Sequence, residues 1–119
     1  MAPFNRFEMR LHTFALLGCL GCATSTGVVP FAPTKYQPRP KDYPIALYSA
    51  QLPTCPFEEI AIVSARAEYN FVSTGAVAEA LRKKARQLGG DALVRVGFVD
   101  SHDTISGTVI RFKRDDCKQ

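Results

Sequence analysis

TGAVAEALRKKARQLGGDALVRVGFV, residues 74–99, holds a helix pattern, a stop signal and a strand pattern in unbroken succession, and its reading decides the fold. At about 100° per residue, Val77, Ala78, Leu81, Ala85 and Leu88 fall on one stripe, while Glu79, Arg82, Lys83 and Arg86 fall on the other side. Ser73 or Thr74 can cap the start by accepting from orphaned N–H groups, and Gly89 can take the left-handed conformation that ends a helix. Glu79 precedes the cations, in agreement with the helix dipole, and Glu79 to Lys83 offers an i,i+4 pair. After Gly90 and Asp91 the period changes to two. Val94, Val96 and Phe98 then share a face against Arg95 and Gly97, as in a half-buried strand.

Working outward, residues 57–68, FEEIAIVSARAE, read as a second strong strand, with Ile60 and Ile62 on one face and Ala61, Val63 and Ala65 on the other. Residues 45–49 form a short first strand, and LPTCP, residues 52–56, a constrained turn. Asp100, Ser101, His102 and Asp103 make a polar turn into a last strand over residues 104–113, with Ile110 and Phe112 on one face. The expected domain is α+β with the order ββαββ: a small sheet, its last two strands a hairpin, and one helix packed on one face.

The 119 residues support a single domain. Residues 1–22 carry Arg6 and Arg10 ahead of LHTFALLGCLG, an apolar run too short to span a bilayer, which is the layout of an export signal. LLGC, ending at Cys19, resembles the lipobox of bacterial lipoproteins, in which the Cys is acylated and becomes the first residue after cleavage. Cys22, preceded by Leu20 and Gly21, is a second candidate. Neither is followed by Asp, which by the same resemblance implies the outer membrane, facing the periplasm. An ordinary secretory signal and an uncleaved apolar segment are the alternatives. Cys19 and Cys22 also form a C-x-x-C, but within the apolar leader and without the βαβ context that a redox motif needs.

Residues 23–43, ATSTGVVPFAPTKYQPRPKDY, are rich in Pro, Thr and Ser, and read as an extended tether between leader and domain. Pro38, Arg39, Pro40 and Lys41 form a basic piece able to touch peptidoglycan, lipid head groups or a partner. The folded domain is expected over residues 44–119.

The net charge is +4, from 15 basic and 11 acidic residues; removing Arg6, Arg10 and Glu8 leaves 13 and 10, or +3. That excess is small, and Arg82, Lys83, Lys84 and Arg86 read as the solvated side of the helix without aromatic interleaving, so no nucleic-acid partner is expected.

Three segments carry a family resemblance: residues 56–65, PFEEIAIVSA; the stretch from Leu81 through Gly89, Gly90, Asp91 and Ala92; and residues 106–112, SGTVIRF. Together they resemble the small domain of RcsF-type outer-membrane lipoproteins and of the YbjQ-like metal-binding family, from about Pro44 onward. The first resemblance implies an envelope-stress sensor that transmits through protein contacts and carries two disulfides. The second implies an oligomer that binds a metal or small ligand. With only Cys55 and Cys117 in the domain, this chain has room for one bridge.

In an oxidising envelope compartment Cys55 and Cys117 are expected to be bridged, which requires Cα atoms within about 7 Å. Free structural thiols, or metal or catalytic use, are the alternatives. Asp100, His102 and Asp103 offer two carboxylates and an imidazole within four residues, the chain's candidate metal ligands, although a solvated turn needs the same composition. Glu58 and Glu59 are adjacent, so on a strand they point apart and cannot work as a paired acid and base. Gly89 and Gly90 follow a helix and therefore make no phosphate loop. The sequence thus points to a lipid-anchored, non-enzymatic envelope lipoprotein without a cofactor, attached to the membrane and binding an envelope protein or peptidoglycan. The alternative is a metal- or small-ligand-binding oligomer.

Overall fold

The computed structural model of the chain describes residues 24–31, 36–69, 72–99 and 103–117. Five strands, β1 (Thr24–Pro30), β2 (Ala46–Leu47), β3 (Phe57–Ala67), β4 (Ala92–Phe98) and β5 (Thr104–Phe112), form one sheet in the order β1-β3-β5-β4-β2. Among the described residues one α-helix, α1 (Thr74–Gln87), packs on it, and a 3-10 turn (Asp115–Cys117) follows β5. The fold is α+β. β4 and β5 pair antiparallel as the hairpin their short connection demanded, whereas β2 pairs parallel with β4. The order along the chain is βββαββ, because a strand precedes those expected.

That extra strand lies in the stretch expected to be a tether. β1 pairs antiparallel with β3 over its whole length, from Thr24↔Ala67 to Pro30↔Ala61, and Val28 packs against the core. A polar edge strand with one inward residue gives little hydrophobic signal, and Pro30 is tolerated at its end because an edge strand need not donate there. The sheet therefore takes in Thr24–Pro30, which begins twenty residues before Pro44. The first strand expected over residues 45–49 contracts to Ala46–Leu47.

α1 forms as its signals require. Ser73 caps it, its side chain accepting from Ala76 N at 3.1 Å, Val77, Leu81 and Ala85 are buried, and Gly89 follows with φ +79°. Expected i,i+4 pairing with Lys83 is replaced: Glu79 bonds Arg86 at 2.9 Å and Arg82 at 3.3 Å.

Two bulges alter which residues face the helix. Between Glu59 and Ala61 the register with β5 shifts, so Ile60 joins Ala61, Val63 and Ala65 in the buried cluster beneath α1, while Ile62 stays 39% exposed. Ile60 and Ile62 therefore do not share an environment. Between Val94 and Gly97 the extra residue is Arg95, at φ 54°. A left-handed residue in a bulge kinks the strand and reverses its alternation. Val94 consequently packs with Ala92 and Ile110 in a second cluster, Val96 packs with the helix-side core, and Phe98 is 52% exposed. The expected shared face of Val94, Val96 and Phe98 is thus broken at Arg95.

Ile110 and Phe112 do share a face, packing with Phe57 and Tyr48 in the second cluster. At that end of the sheet Cys55 and Cys117 are joined by a disulfide, with Cα atoms 5.9 Å apart across a sequence separation of 62. The bridge ties the segment before β3 to the turn after β5, whose ends are already neighbours through Phe57↔Phe112 and Lys113 N donating to Pro56 O.

Candidate functional site

Residues 36–45 run as a strap across the C-terminal half of α1 and the turn into β4. Arg39 N donates to Arg86 O at 2.7 Å, Arg86 Nε to Tyr43 O at 2.7 Å, and Arg82 Nε to Ile45 O at 3.3 Å. Arg82 and Arg86, expected on the solvated side of the helix, are therefore half-buried beneath the strap. Two residues from the helix-ending Gly89, Asp91 is almost fully buried. Its Oδ1 accepts from Arg39 Nη2 at 2.8 Å and Tyr43 OH at 2.7 Å, and its Oδ2 from Phe112 N at 2.9 Å. Three hydrogen bonds to the one carboxylate replace the water it loses, as a buried charge requires. Arg39 also stacks over the Tyr43 ring, 4.8 Å from its centre. Burial, then the bond to Asp91 and that carboxylate's charge, push the Tyr43 phenol above its ordinary 10.0.

A second pair of contacts holds the start of the strap. Tyr36 OH donates to Glu58 Oε2 at 2.6 Å, which raises the phenol's pKa, and Arg111 lies 4.4 Å from the Tyr36 ring centre while donating to Gly89 O. Strap, helix end and β5 are thereby fastened around Gly89, Gly90 and Asp91.

Where the strap meets the helix an open cleft of about 400 Å³ is lined by Arg39, Lys41, Lys83, Arg86 and Gln87. Arg39 and Arg86 spend part of their donor capacity on Asp91, Glu79 and Tyr43 O, but among the described residues Lys41 and Lys83 make no ion pair. Arg39 Nε is buried without a hydrogen-bond partner. Four cations around one concavity attract an anion, and guanidinium beside ammonium suits carboxylate or phosphate oxygens. A hollow of about 280 Å³, lined by Tyr43, Ile45, Tyr48, Asp91 and Phe112, has mainly aromatic and aliphatic walls.

The expected site residues are brought together only in part. Cys55 and Cys117 meet as the disulfide, leaving neither sulfur as a nucleophile or ligand. Cys19, Cys22, Asp100 and His102 lie outside the described residues. Asp103 faces Arg66 Nε at 3.6 Å and accepts from Thr104 Oγ1. Among the described residues no group of three His, Cys, Asp or Glu is placed to hold a metal. Sequence reasoning marked Arg39 and Lys41 as a basic Pro-rich piece but placed them on a tether; the partners that hold Arg39 lie 47 and 52 positions further on. Asp91 was visible only as part of a turn.

No protein-family model and no curated protein sequence matches the chain. Among solved structures it is similar to the crystal structure of a Francisella virulence factor, FvfA, in its orthorhombic form. The two are 12% identical, with a TM-score of 0.50 over 76% of this chain and 99% of that one. At that identity the likeness is one of fold.

Proposed function

We propose that the protein is a lipid-anchored, non-enzymatic envelope lipoprotein, acylated at Cys19 or Cys22 and held at the outer membrane facing the periplasm. Its domain binds an anionic group of an envelope protein or of the cell wall through the cleft of Arg39, Lys41, Lys83 and Arg86. The observation that carries this reading is the Cys55–Cys117 disulfide. Such bonds persist in oxidising compartments and are rare in the cytosol, so the bridge supports the export role read from the leader. A domain of this size also gains from a cross-link where its core alone is marginal. The cleft supplies the second half of the reading, since Lys41 and Lys83, which make no ion pair among the described residues, attract anions beside the two guanidinium groups.

Radiolabelled palmitate supplied to cells making the full chain tests the anchor. Label is expected in the wild-type protein and lost on either Cys19→Ala or Cys22→Ala, which assigns the acylated residue. An unlabelled chain recovered whole from the soluble cytosol overturns the proposal.

A further inference from the structure

Thr24 is the first residue of β1, two positions after Cys22 and five after Cys19. An extended chain covers at most about 3.6 Å per residue, so the acylated cysteine lies within about 7 Å of the sheet in the first case and about 18 Å in the second. The first distance matches a bilayer's interfacial layer, roughly 5–7 Å thick on each side of the hydrocarbon, and the second, though longer, stays under the roughly 20 Å that the seven residues of β1 span. Residues 24–30, in the stretch expected to let the domain hang free, are already in the sheet. The end of the sheet that carries Thr24 is therefore the end brought to the lipid.

Strand pairing identifies what else sits there. Thr24 pairs with Ala67, and the neighbouring Arg66 pairs with Thr104. Ala67 N donates to Asp103 O, Val99 N donates to Thr104 O, and Phe98 pairs with Ile105. Four strand ends thus form one row, about 14 Å across at the usual strand spacing. On or just beyond that row Tyr69 is 54%, Phe98 52% and Val99 40% exposed. At the same end of the sheet the Arg66 side chain is 63% exposed, with Asp103 3.6 Å away and itself 41% exposed. Apolar rings with a cation alongside match the boundary between acyl chains and phosphates, where amphipathic aromatic side chains settle and Arg meets head groups.

We propose that this end of the sheet lies on the membrane, with Phe98, Tyr69 and Val99 seated at the head-group boundary and Arg66 against lipid phosphate. The inference rests on acylation of Cys19 or Cys22 and deepens that reading by fixing the orientation of the domain. α1 begins at this end, and Lys83 and Arg86 of the cleft, nine and twelve residues after Thr74, lie about 14 and about 18 Å along it. The cationic cleft then points away from the bilayer. A peripheral contact of three side chains is weak alone; the acyl chains supply the local concentration that makes it persist.

The protein contains no Trp, so single tryptophans report position without background. Phe98→Trp, Tyr69→Trp and, at the cleft, Gln87→Trp are made in the full chain expressed with palmitate label. Each purified protein is reconstituted into phosphatidylethanolamine–phosphatidylglycerol vesicles containing phospholipid brominated on the upper acyl carbons. Emission from Phe98→Trp and Tyr69→Trp is expected to be weaker than in unbrominated vesicles and to peak to the blue of Gln87→Trp, whose intensity is unchanged by bromination. Label present with equal emission at all three positions overturns the orientation but leaves the anchor standing. Absence of label removes the anchor and this inference with it. A blue shift at Phe98→Trp that persists in detergent and grows with protein concentration means a second copy covers the surface, and also overturns it.

Discussion

Arg39 and Asp91, 52 positions apart, form a 2.8 Å ion pair in which the carboxylate is almost completely withdrawn from solvent. The pair joins a segment composed like a linker to the turn that ends the helix, and Tyr43 OH shares the same carboxylate oxygen.

Removing Asp91 leaves a half-buried guanidinium, a phenol and the Phe112 N–H without their acceptor. Breaking a buried pair from one side costs about 3–5 kcal/mol, so Asp91→Ala is expected to be strongly destabilising, whereas Tyr43→Phe loses one neutral donor at about 1 kcal/mol. Urea unfolding of Arg39→Ala, Asp91→Ala and the double variant measures the coupling, expected above about 1 kcal/mol. Additivity to within about 0.5 kcal/mol would show that the contact contributes nothing of its own.

The disulfide acts on the unfolded chain. Because Phe57↔Phe112 and the Pro56–Lys113 bond already hold its two ends together, the folded domain keeps its structure without it. A loop of this length corresponds to about 4 kcal/mol on the chain-entropy model. The Cys55→Ser/Cys117→Ser variant is therefore expected to lose up to that amount in urea while its far-ultraviolet circular dichroism in native buffer is unchanged. A collapse of the native spectrum would contradict this.

Legibility in the sequence followed the range over which each signal acts. Cap, stripe and stop are local, so α1 and the strand after it could be read from Ser73, Leu81 and Gly89. β1 could not, because TSTGVVP has the composition of a linker and becomes a strand only through β3. Faces failed at the bulges, where Arg95 takes a left-handed conformation that nothing in its residue type announces. The cationic cleft was half visible: its helix residues were identified as one side of α1, but Arg39 and Lys41 reach them through a strap held by Asp91 and Arg86, partners 52 and 47 positions from Arg39. Cysteine pairing was readable because there were two candidates in the domain.

Two groups set the pH limits of the strap and the helix. Bonding to Arg86, then the charge of Arg86 and bonding to Arg82, together hold the Glu79 carboxyl below its ordinary 4.5 against an opposing effect of burial that is second only to the Arg86 bond. A depressed folded-state pKa contributes stability that is present above pH 4.5 and lost as pH falls through the folded value. Glu79 is more than half exposed, so solvent screening limits the amount to under about 1 kcal/mol. Tyr43 behaves oppositely: its raised pKa contributes stability below pH 10.0 that disappears as pH rises through the folded value. Glu79→Gln is expected to flatten the acid limb of a stability-versus-pH curve. Tyr43→Phe is expected to remove a tyrosinate absorbance step that lies above pH 10.0 in an alkaline titration of the folded protein; an unaltered titration above that pH would refute the assignment.

Gly89 gives the most direct test of how the strap is held. Its φ of +79° disfavours any side chain, at about 1 kcal/mol for Ala. A Cβ there would also lie 2.6 Å from Gln37 O and 2.7 Å from Tyr36 Cβ. One of these is backbone, so relief requires residues 36 and 37 to move, and that movement pulls on Arg39 N–H···O=C Arg86 and on the Arg39–Asp91 pair. Gly89→Ala is accordingly expected to cost more than conformational strain alone, on the order of 2 kcal/mol or more. Its signature is local: amide exchange at Arg39 and Tyr43 accelerates while the amides shared by β3 and β5 keep their protection, since their pairing does not pass through Gly89. Combining Gly89→Ala with Arg39→Ala distinguishes strain from displacement. If the strap carries the excess cost, the double variant loses less than the sum of the two, and a strictly additive loss would place the whole effect in the backbone of Gly89.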